Sequence, residues 1–378
     1  MPGAVSCLNK LKNASKNMLN KKFSPEKQSA FAARFEAQKI AFGPVVFQCV
    51  RYAWKRGMLQ ALADAGSKGL SLDEMAASGQ WRIYALKLVL ETCLSAGVVY
   101  IKNGQYVLDK AGYCVLTDAI TQININFNHD VCYQGLFQLE QSLDQEKPLG
   151  LVNLGSWSTI YEGLSSLPEP AKTSWFEFDH FYSDTSFPNI LPDVFATAPR
   201  RIMDIGANTG KFSFAALSYN NEVELHLVDL PVQLAVAEQS LNLAVDASVP
   251  ARAHFHPVNL LDKDKELPVN MDVIWMSQFL SCFSEEAISS IFARAVKALA
   301  SNGQLLIMDT FWDRQQYDIA AYCLINTSPY FTAMASGNSK IYESVDYIRL
   351  AEAAGLKLLT VRDGIGYCHS LLRFAKNA

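Results

Sequence analysis

The sequence predicts an α/β protein in which a seven-stranded, mostly parallel, Rossmann-like sheet follows an N-terminal all-helical domain of the winged-helix type. Two observations predict this fold class. From residue 200 onward, short apolar runs of strand length alternate with helix-length stretches, which favours βαβ units and a parallel sheet. Before residue 119, helical spacing dominates and ends in a short hairpin pattern. The strand candidates are residues 202–205, 224–228, 253–257, 273–276, 304–309, 357–361 and 369–374.

The N-terminal domain is expected to span residues 28–119. The serine and glutamate of segment 71–74 form a capping box that opens a short helix. The apolar stripe of residues 85–96 predicts a further helix. Asn103 and Gly104 lie between two short apolar runs and are a strong hairpin signal. Helices followed by such a hairpin predict a winged helix.

This winged helix is interpreted as a packing and dimerisation module. Its candidate recognition helix offers only Arg82 and Lys87 as cations, whereas binding to a phosphate backbone needs a dense cationic surface. Residues 28–56 carry many aromatic and aliphatic side chains outside the main sheet. Because such a surface is usually buried against a second subunit, we expect a homodimer.

The rest of the chain divides by composition. Residues 1–27 form a basic leader, expected to be flexible, in which the lysines precede the first acid, Glu26. Residues 120–198 form an aromatic-rich helical connector, and residues 199–378 carry the sheet.

Charge and composition exclude several classes of protein. The chain of 378 residues has a formal net charge of −4 and a pI near 5.9, so no nucleic-acid partner is expected. Without a membrane-length apolar run or a signal-peptide core, the sequence predicts no membrane partner and a cytoplasmic location. Eight scattered cysteines and six histidines show no ligand spacing, so neither a disulfide frame nor a metal site is expected.

A glycine turn carries the clearest chemical signal. A buried strand ends at Asp204 and is followed by Gly206, Gly210, a helix and a second strand that ends at Asp229, which is the pattern of a nucleotide-binding βαβ unit. Gly206 allows the backbone to approach a ligand, and Asp229 could accept both ribose hydroxyls. The third motif position holds Asn208 where a dinucleotide fingerprint needs glycine, so no pyrophosphate is expected. The unit predicts a nucleoside ligand.

The Asp-x-Gly-x-x-x-Gly turn resembles motif I of the class I S-adenosylmethionine (SAM) methyltransferases. With Asp229-Leu230-Pro231 and the winged helix, it resembles the small-molecule O-methyltransferase family of plant and bacterial secondary metabolism. The resemblance implies SAM as cofactor and S-adenosyl-L-homocysteine (SAH) as product. It places Gly206 and Gly210 at the methionine part, Asp204 near the charged end, and Asp229 with Leu230 at the ribose.

Family members grip the adenine with Gly-Asp-Met-Phe after the third strand, where this chain has Val-Asn-Leu-Leu. Asn259 can still accept a hydrogen bond from the adenine amino group, and Leu260 can pack on the ring. The contact after the fourth strand falls on Ser277 and Gln278.

The family's general base is a histidine, and Ser281 stands at its position. Serine is no base at neutral pH, so another group must accept the proton. The first candidates are His180 and Tyr182, in an expected loop that corresponds to the family's lid over SAM and substrate. His129 is the second candidate.

The acceptor pocket of the family follows the fifth strand, which places Trp312, Arg314 and Tyr330 there. These aromatics suit a small, flat, phenolic acceptor, free or carrier-bound, methylated at oxygen or at a ring carbon. The missing histidine and the phrasing around Tyr330 resemble the C-methyltransferases of bacterial aryl-polyene pathways. Two alternatives remain: a SAM-binding protein without methyl transfer, and a ligand-regulated winged-helix DNA binder.

Overall fold

The computed structural model describes residues 28–183 and 186–377. It divides into two units of dense internal contacts, with the boundary between His129 and Asp130. The basic leader expected at 1–27 lies outside the described residues. Of the connector expected at 120–198, the residues from Asp130 onward belong to the unit that carries the sheet.

The first unit consists of helices and one hairpin. Its capping box is present, since the Ser71 hydroxyl accepts the Glu74 N–H and the Glu74 carboxylate accepts the Ser71 N–H. Asn103 and Gly104 adopt φ angles of 51° and 76°, as a tight hairpin turn requires. Its elements are α1 (Ala30–Lys55), α2 (Met58–Ala65), α3 (Leu72–Ala77), α4 (Ile83–Ser95), β1 (Val99–Lys102), β2 (Gln105–Leu108), α5 (Lys110–Thr117) and α6 (Ala119–Phe127).

Helix α1 has two different halves. Near its C-terminal end, Val50 and Ala53 are buried in the core of the unit. Toward its N-terminal end, Phe31, Ile40 and Phe42 are exposed, with Phe31 and Ile40 at 84% and 80%. Large apolar side chains are therefore exposed over several turns of α1.

The second unit carries the sheet. Its strands are β3 (Arg201–Ile205), β4 (Glu224–Asp229), β5 (Ala253–Pro257), β6 (Met271–Ser277), β7 (Leu299–Asp309), β8 (Leu356–Ile365) and β9 (His369–Lys376). Their order is β5-β4-β3-β6-β7-β9-β8, parallel except for β9, which is antiparallel to β7 and β8. All seven predicted strands are present, and the fold class is confirmed.

Helices cover the sheet and connect its strands. They are α7 (Leu139–Gln145), α8 (Ile160–Gly163), α9 (Ala171–Ser183), α10 (Phe187–Val194), α11 (Lys211–Tyr219), α12 (Pro231–Asn242), α13 (Ser248–Ala251), α14 (Glu285–Ala298), α15 (Asp318–Tyr330) and α16 (Ser344–Ala353).

Alternation along the strands builds one core on each face of the sheet. In β3, Met203 and Ile205 belong to one cluster of buried residues, whereas Ile202 belongs to the other. Since β3, β4 and β6 are parallel, their carboxyl ends meet at one edge, where open α/β sheets bind ligands. No helix within the described ranges is both long and apolar enough to cross a bilayer.

Candidate active site

The turn after β3 is built for close approach. Gly206 and Gly210 have φ angles of 79° and 77°, in the left-handed region that favours glycine. A Cβ on Gly206 would overlap the Phe279 ring, and a Cβ on Gly210 would lie 3.1 Å from that of Ala237. The Gly206 backbone therefore lies so close to the Phe279 ring that only a residue without a side chain fits there.

Asp229 lies at the carboxyl end of β4, next to this turn. Its Oδ2 accepts the Asn208 N–H at 2.8 Å and its Oδ1 accepts the Leu230 N–H at 2.6 Å. Burial raises the pKa of the carboxyl, and these two hydrogen bonds oppose the rise. Each oxygen keeps a lone pair that a ligand hydroxyl could use.

Asp204 lies beneath the turn, at the end of β3. It is buried and its Oδ2 accepts a hydrogen bond from the Ser213 hydroxyl at 2.7 Å. Burial raises its pKa to about 7, and the Ser213 bond opposes that rise. Since no cationic side chain of the described residues forms an ion pair with this carboxyl, a cationic ligand would favour its ionised form.

Asn208 links the turn to helix α9. Its Nδ2 donates to Asp179 Oδ2 at 3.2 Å, while its Oδ1 is buried and has no hydrogen-bond partner among the described residues. The turn therefore presents Asp229, Asp204 and an unused amide oxygen, all of them acceptors. This set fits SAM, which brings ribose hydroxyls, an amino group and a positive sulfonium.

The expected adenine contacts differ in their exposure. Asn259 is exposed, and its Oδ1 accepts the Leu261 N–H at 3.0 Å. Leu260 is 5% exposed and belongs to the hydrophobic core. Ser277 and Gln278 are half-buried at the end of β6, with Gln278 at a φ of 48°. The adenine roles of these residues stay predictions.

The candidate bases His180 and Tyr182 lie on α9, a helix and not a loop. The His180 ring stacks on Phe176 at 5.8 Å between centroids, and its Nδ1 lies 4.0 Å from Asp179 Oδ2. Tyr182 packs against Phe178 at 5.2 Å. Because Asp179 also accepts a hydrogen bond from Asn208, this end of α9 contacts the glycine turn; the lid and base roles stay predictions.

Two buried hydroxyl groups and one buried thiol lie within electrostatic range of Asp179. Burial is the main cause that raises the pKa of Tyr161, Tyr330 and Cys282, and the Asp179 carboxylate adds to each rise. The Tyr330 hydroxyl accepts from Trp175 Nε1 at 2.7 Å. Burial raises the pKa of Cys282 to about 12, so this thiol is not a thiolate at neutral pH. Tyr161 was not singled out by its sequence context.

Other sequence candidates have different surroundings. Arg314 forms a two-point ion pair with Asp363 of β8, Nε to Oδ1 at 2.9 Å and Nη2 to Oδ2 at 2.5 Å, which commits its guanidinium to a structural contact. Trp312 beside it is half-buried. His129 is the last residue of the first unit, and its catalytic role stays a prediction.

Asp309 was missed by the sequence analysis. It ends β7, is 2% exposed, and accepts hydrogen bonds from the Thr310 N–H at 2.8 Å and the Tyr347 hydroxyl at 3.1 Å. Burial raises its pKa to about 7. Its position at a strand end beside an expected pocket could have identified it, but no motif surrounds it.

Two family models match the chain, one in each unit. A Dimerisation2-like domain matches residues 34–106, and a methyltransferase domain matches residues 203–305. Among curated proteins, the L-tyrosine C(3)-methyltransferase of Streptomyces lavendulae is 20% identical over 320 residues, covering 84% of this chain and 85% of that protein. The demethylspheroidene O-methyltransferase of Rhodobacter capsulatus is 27% identical over 156 residues, or 41% and 36% of the two chains.

Solved structures show the same fold. The SAM-dependent methyltransferase SibL, in its apo form, aligns with a TM-score of 0.66 at 19% identity, covering 90% of this chain and 98% of that one. The O-methyltransferase NcsB1 of neocarzinostatin biosynthesis, in complex with SAM and 2-hydroxy-5-methyl naphthoic acid, aligns with a TM-score of 0.61 at 18% identity, covering 87% and 95%.

These matches and the sheet order define the class of the protein. The chain is a methyltransferase of class I fold that carries a Dimerisation2-like domain. A methyltransferase domain of this fold takes its methyl group from SAM, so the predicted enzyme class and cofactor are confirmed.

Proposed function

We propose that the protein transfers the methyl group of SAM to a small phenolic acceptor, at oxygen or at a ring carbon. The observation that carries the proposal is the set of acceptor groups at the turn, Asp204, Asp229 and Asn208 Oδ1, next to a helix with a histidine and a carboxylate. SAM supplies an electrophilic methyl group when it is bound. Asp229 holds its ribose, and Gly206 allows its methionine part to approach the backbone.

The acceptor must lose a proton for either outcome. A phenolate is nucleophilic at oxygen and at its ortho carbon, so a base at the hydroxyl and the alignment of the ring decide where the methyl group arrives. The relative from Streptomyces lavendulae is named for methylation of tyrosine at C3, which is the carbon ortho to a phenol. This supports ring C-methylation as one of the two outcomes.

His180 is proposed as the group that accepts this proton. Asp179 Oδ2 lies 4.0 Å from its Nδ1, and the hydrogen bond from Asn208 holds Asp179 beside the turn. Aromatic side chains of the same unit, Trp175 and Tyr330, are joined by a hydrogen bond near Asp179 and offer flat apolar surface to a ring.

An assay with methyl-labelled SAM tests this function. The full chain is incubated with a panel of phenols, including free tyrosine and a carrier-bound phenol, and the product is identified by NMR, which separates oxygen from carbon methylation. Label in a phenolic product supports the proposal. SAM binding without any methylated phenol contradicts it and favours a SAM-binding protein of other chemistry.

We expect the protein to be a homodimer through the Dimerisation2-like domain. The exposed side chains of α1 need a partner surface, and an obligate interface is large and apolar. Light scattering should give the dimer mass at micromolar concentration, and Phe42→Glu should shift the mass toward the monomer. Phe137→Glu, at a phenylalanine of the other unit that is 87% exposed against 58% for Phe42, is the control. A wild-type monomer contradicts this prediction.

We expect SAM affinity to fall as the pH decreases below 7. Because burial raises the pKa of Asp204 to about 7 and a nearby sulfonium favours the ionised carboxylate, binding at lower pH must also remove a proton. The cost is about tenfold in affinity per pH unit. Calorimetry between pH 8 and pH 6 measures this slope. Asp204→Asn should flatten it, and SAH, without the sulfonium charge, should show a smaller slope. Equal slopes for SAM and SAH would place Asp204 away from the sulfonium.

Methyl transfer is expected to need no metal, because a sulfonium transfers its methyl group without a Lewis acid. Turnover should be unchanged after chelation with EDTA and exhaustive dialysis. Loss of turnover that a divalent ion restores would contradict this expectation.

A further inference from the structure

Half of the chain's six histidines lie together at the edge of the sheet. His226 of β4 is directly opposite His254 of β5 in the strand register, and His256 follows two residues later on the same face. Glu224 shares that face of β4, two residues before His226. The cluster begins at the start of β4, and Asp229 ends the strand, about 16 Å from Glu224 and about 10 Å from His226 along the strand at the usual rise per residue.

The ligand atoms of this cluster converge. Those of Glu224, His226 and His254 all lie within 4.8 Å of one another. The ring centroids of His226 and His254 are 4.8 Å apart, and His226 Nδ1 lies 3.0 Å from His256 Nε2. His226 is 7% exposed, and its other ring nitrogen, Nε2, is buried without a hydrogen-bond partner among the described residues. The His226 ring therefore contacts His256 through Nδ1, while its Nε2 has no hydrogen-bond partner among the described residues.

The electrostatics suit a metal cation as the missing partner of Nε2. The Nε2 atom of His226 is buried and has no hydrogen-bond partner among the described residues, and it keeps a lone pair when the proton is on Nδ1, beside His256 Nε2. Glu224 is exposed and supplies a negative charge that faces Arg201 across the register. A cation can therefore arrive from solvent at Glu224 and reach the buried imidazole.

We propose that Glu224, His226 and His254 bind a divalent transition metal of the zinc type. Two imidazoles and a carboxylate are ligands that Zn²⁺ accepts with a fourth position left to water. His256 holds the other nitrogen of His226, and such a contact orients a ligating imidazole. The ligands come from two strands, which is why no ligand spacing appears in the sequence. The site ties edge strand β5 to β4 and lies apart from the methyl-transfer site.

Metal binding to the full chain tests this site. Protein without a histidine tag is stripped with a chelator, titrated with Zn²⁺ by calorimetry, and titrated with Co²⁺ for visible spectroscopy. We expect one equivalent of metal, a cobalt spectrum without thiolate charge transfer, and a melting temperature raised by about 5 °C at zinc well above its dissociation constant. Glu224→Gln, at an exposed position, and His254→Gln, at a half-buried one, should each weaken binding at least tenfold and remove that rise.

Glu222→Gln is the matched control, since Glu222 is an exposed acid just before β4 that pairs with Arg200 and lies outside the cluster. It should bind the metal like the wild type. Three results would overturn the proposal: no stoichiometric binding, equal affinity in the Glu224 and His254 variants, or a cobalt spectrum with thiolate bands. Melting curves of the metal-free variants that match the wild type show that the substitutions leave the fold intact.

Discussion

Replacing Asp229 with alanine should weaken SAM binding by about 2–4 kcal/mol, because charge-assisted hydrogen bonds to two ribose hydroxyls are lost. The carboxylate also accepts the Asn208 and Leu230 N–H groups, so the variant loosens the turn that faces the ligand. Calorimetry with SAM measures the change in dissociation constant.

Asp229→Asn is the matched control, since it keeps the size of the side chain and one acceptor oxygen. Its affinity for SAM should lie between that of the wild type and that of the alanine variant. Melting curves establish that both variants are folded. If Asp229→Ala binds SAM with unchanged affinity, Asp229 does not hold the ribose.

His180→Ala should lower kcat by about 100-fold while SAM affinity stays nearly intact, as expected when a general base is removed. His180 lies beside Asp179, which in turn contacts the turn at Asn208. The effect should appear in single-turnover rates with the phenol that the labelled-SAM assay identifies.

Two further variants separate the alternatives for the base. His129→Ala tests the rival histidine, and Ser281→Ala should be close to neutral because serine is no base at neutral pH. If Ser281→Ala is damaging and His180→Ala is silent, the proton leaves at the position usual in the family and α9 has no part in it.

The sheet could be predicted from the sequence because its strands carry strong local signals. Apolar runs of strand length and the glycine turn identify β3 and β4, and Asn103-Gly104 fixes the hairpin. The predicted start of β7 was less accurate. The strand begins at Leu299, directly after α14, whereas the apolar pattern indicated residue 304. The first residues of that strand include several polar side chains, so a search for apolar runs does not detect them.

The candidate site was only partly predictable. Gly206 follows β3 and Asp229 ends the adjacent strand β4, so their proximity follows from the βαβ unit. The hydrogen bond from Asn208 to Asp179 and the ion pair from Arg314 to Asp363 join residues far apart in the chain, which no local pattern reveals. The same holds for Leu260, whose burial depends on how the segment after β5 packs.

The two ends of strand β4 belong to different candidate sites. Asp229 ends it beside the glycine turn, and Glu224 begins it at the histidine cluster. Hydrogen bonds to β3 and β5 on both sides hold the strand in place. Substitutions separated by more than about 10 Å without shared partners usually add in free energy. Changes at one end can therefore accumulate during evolution without altering what the other end binds.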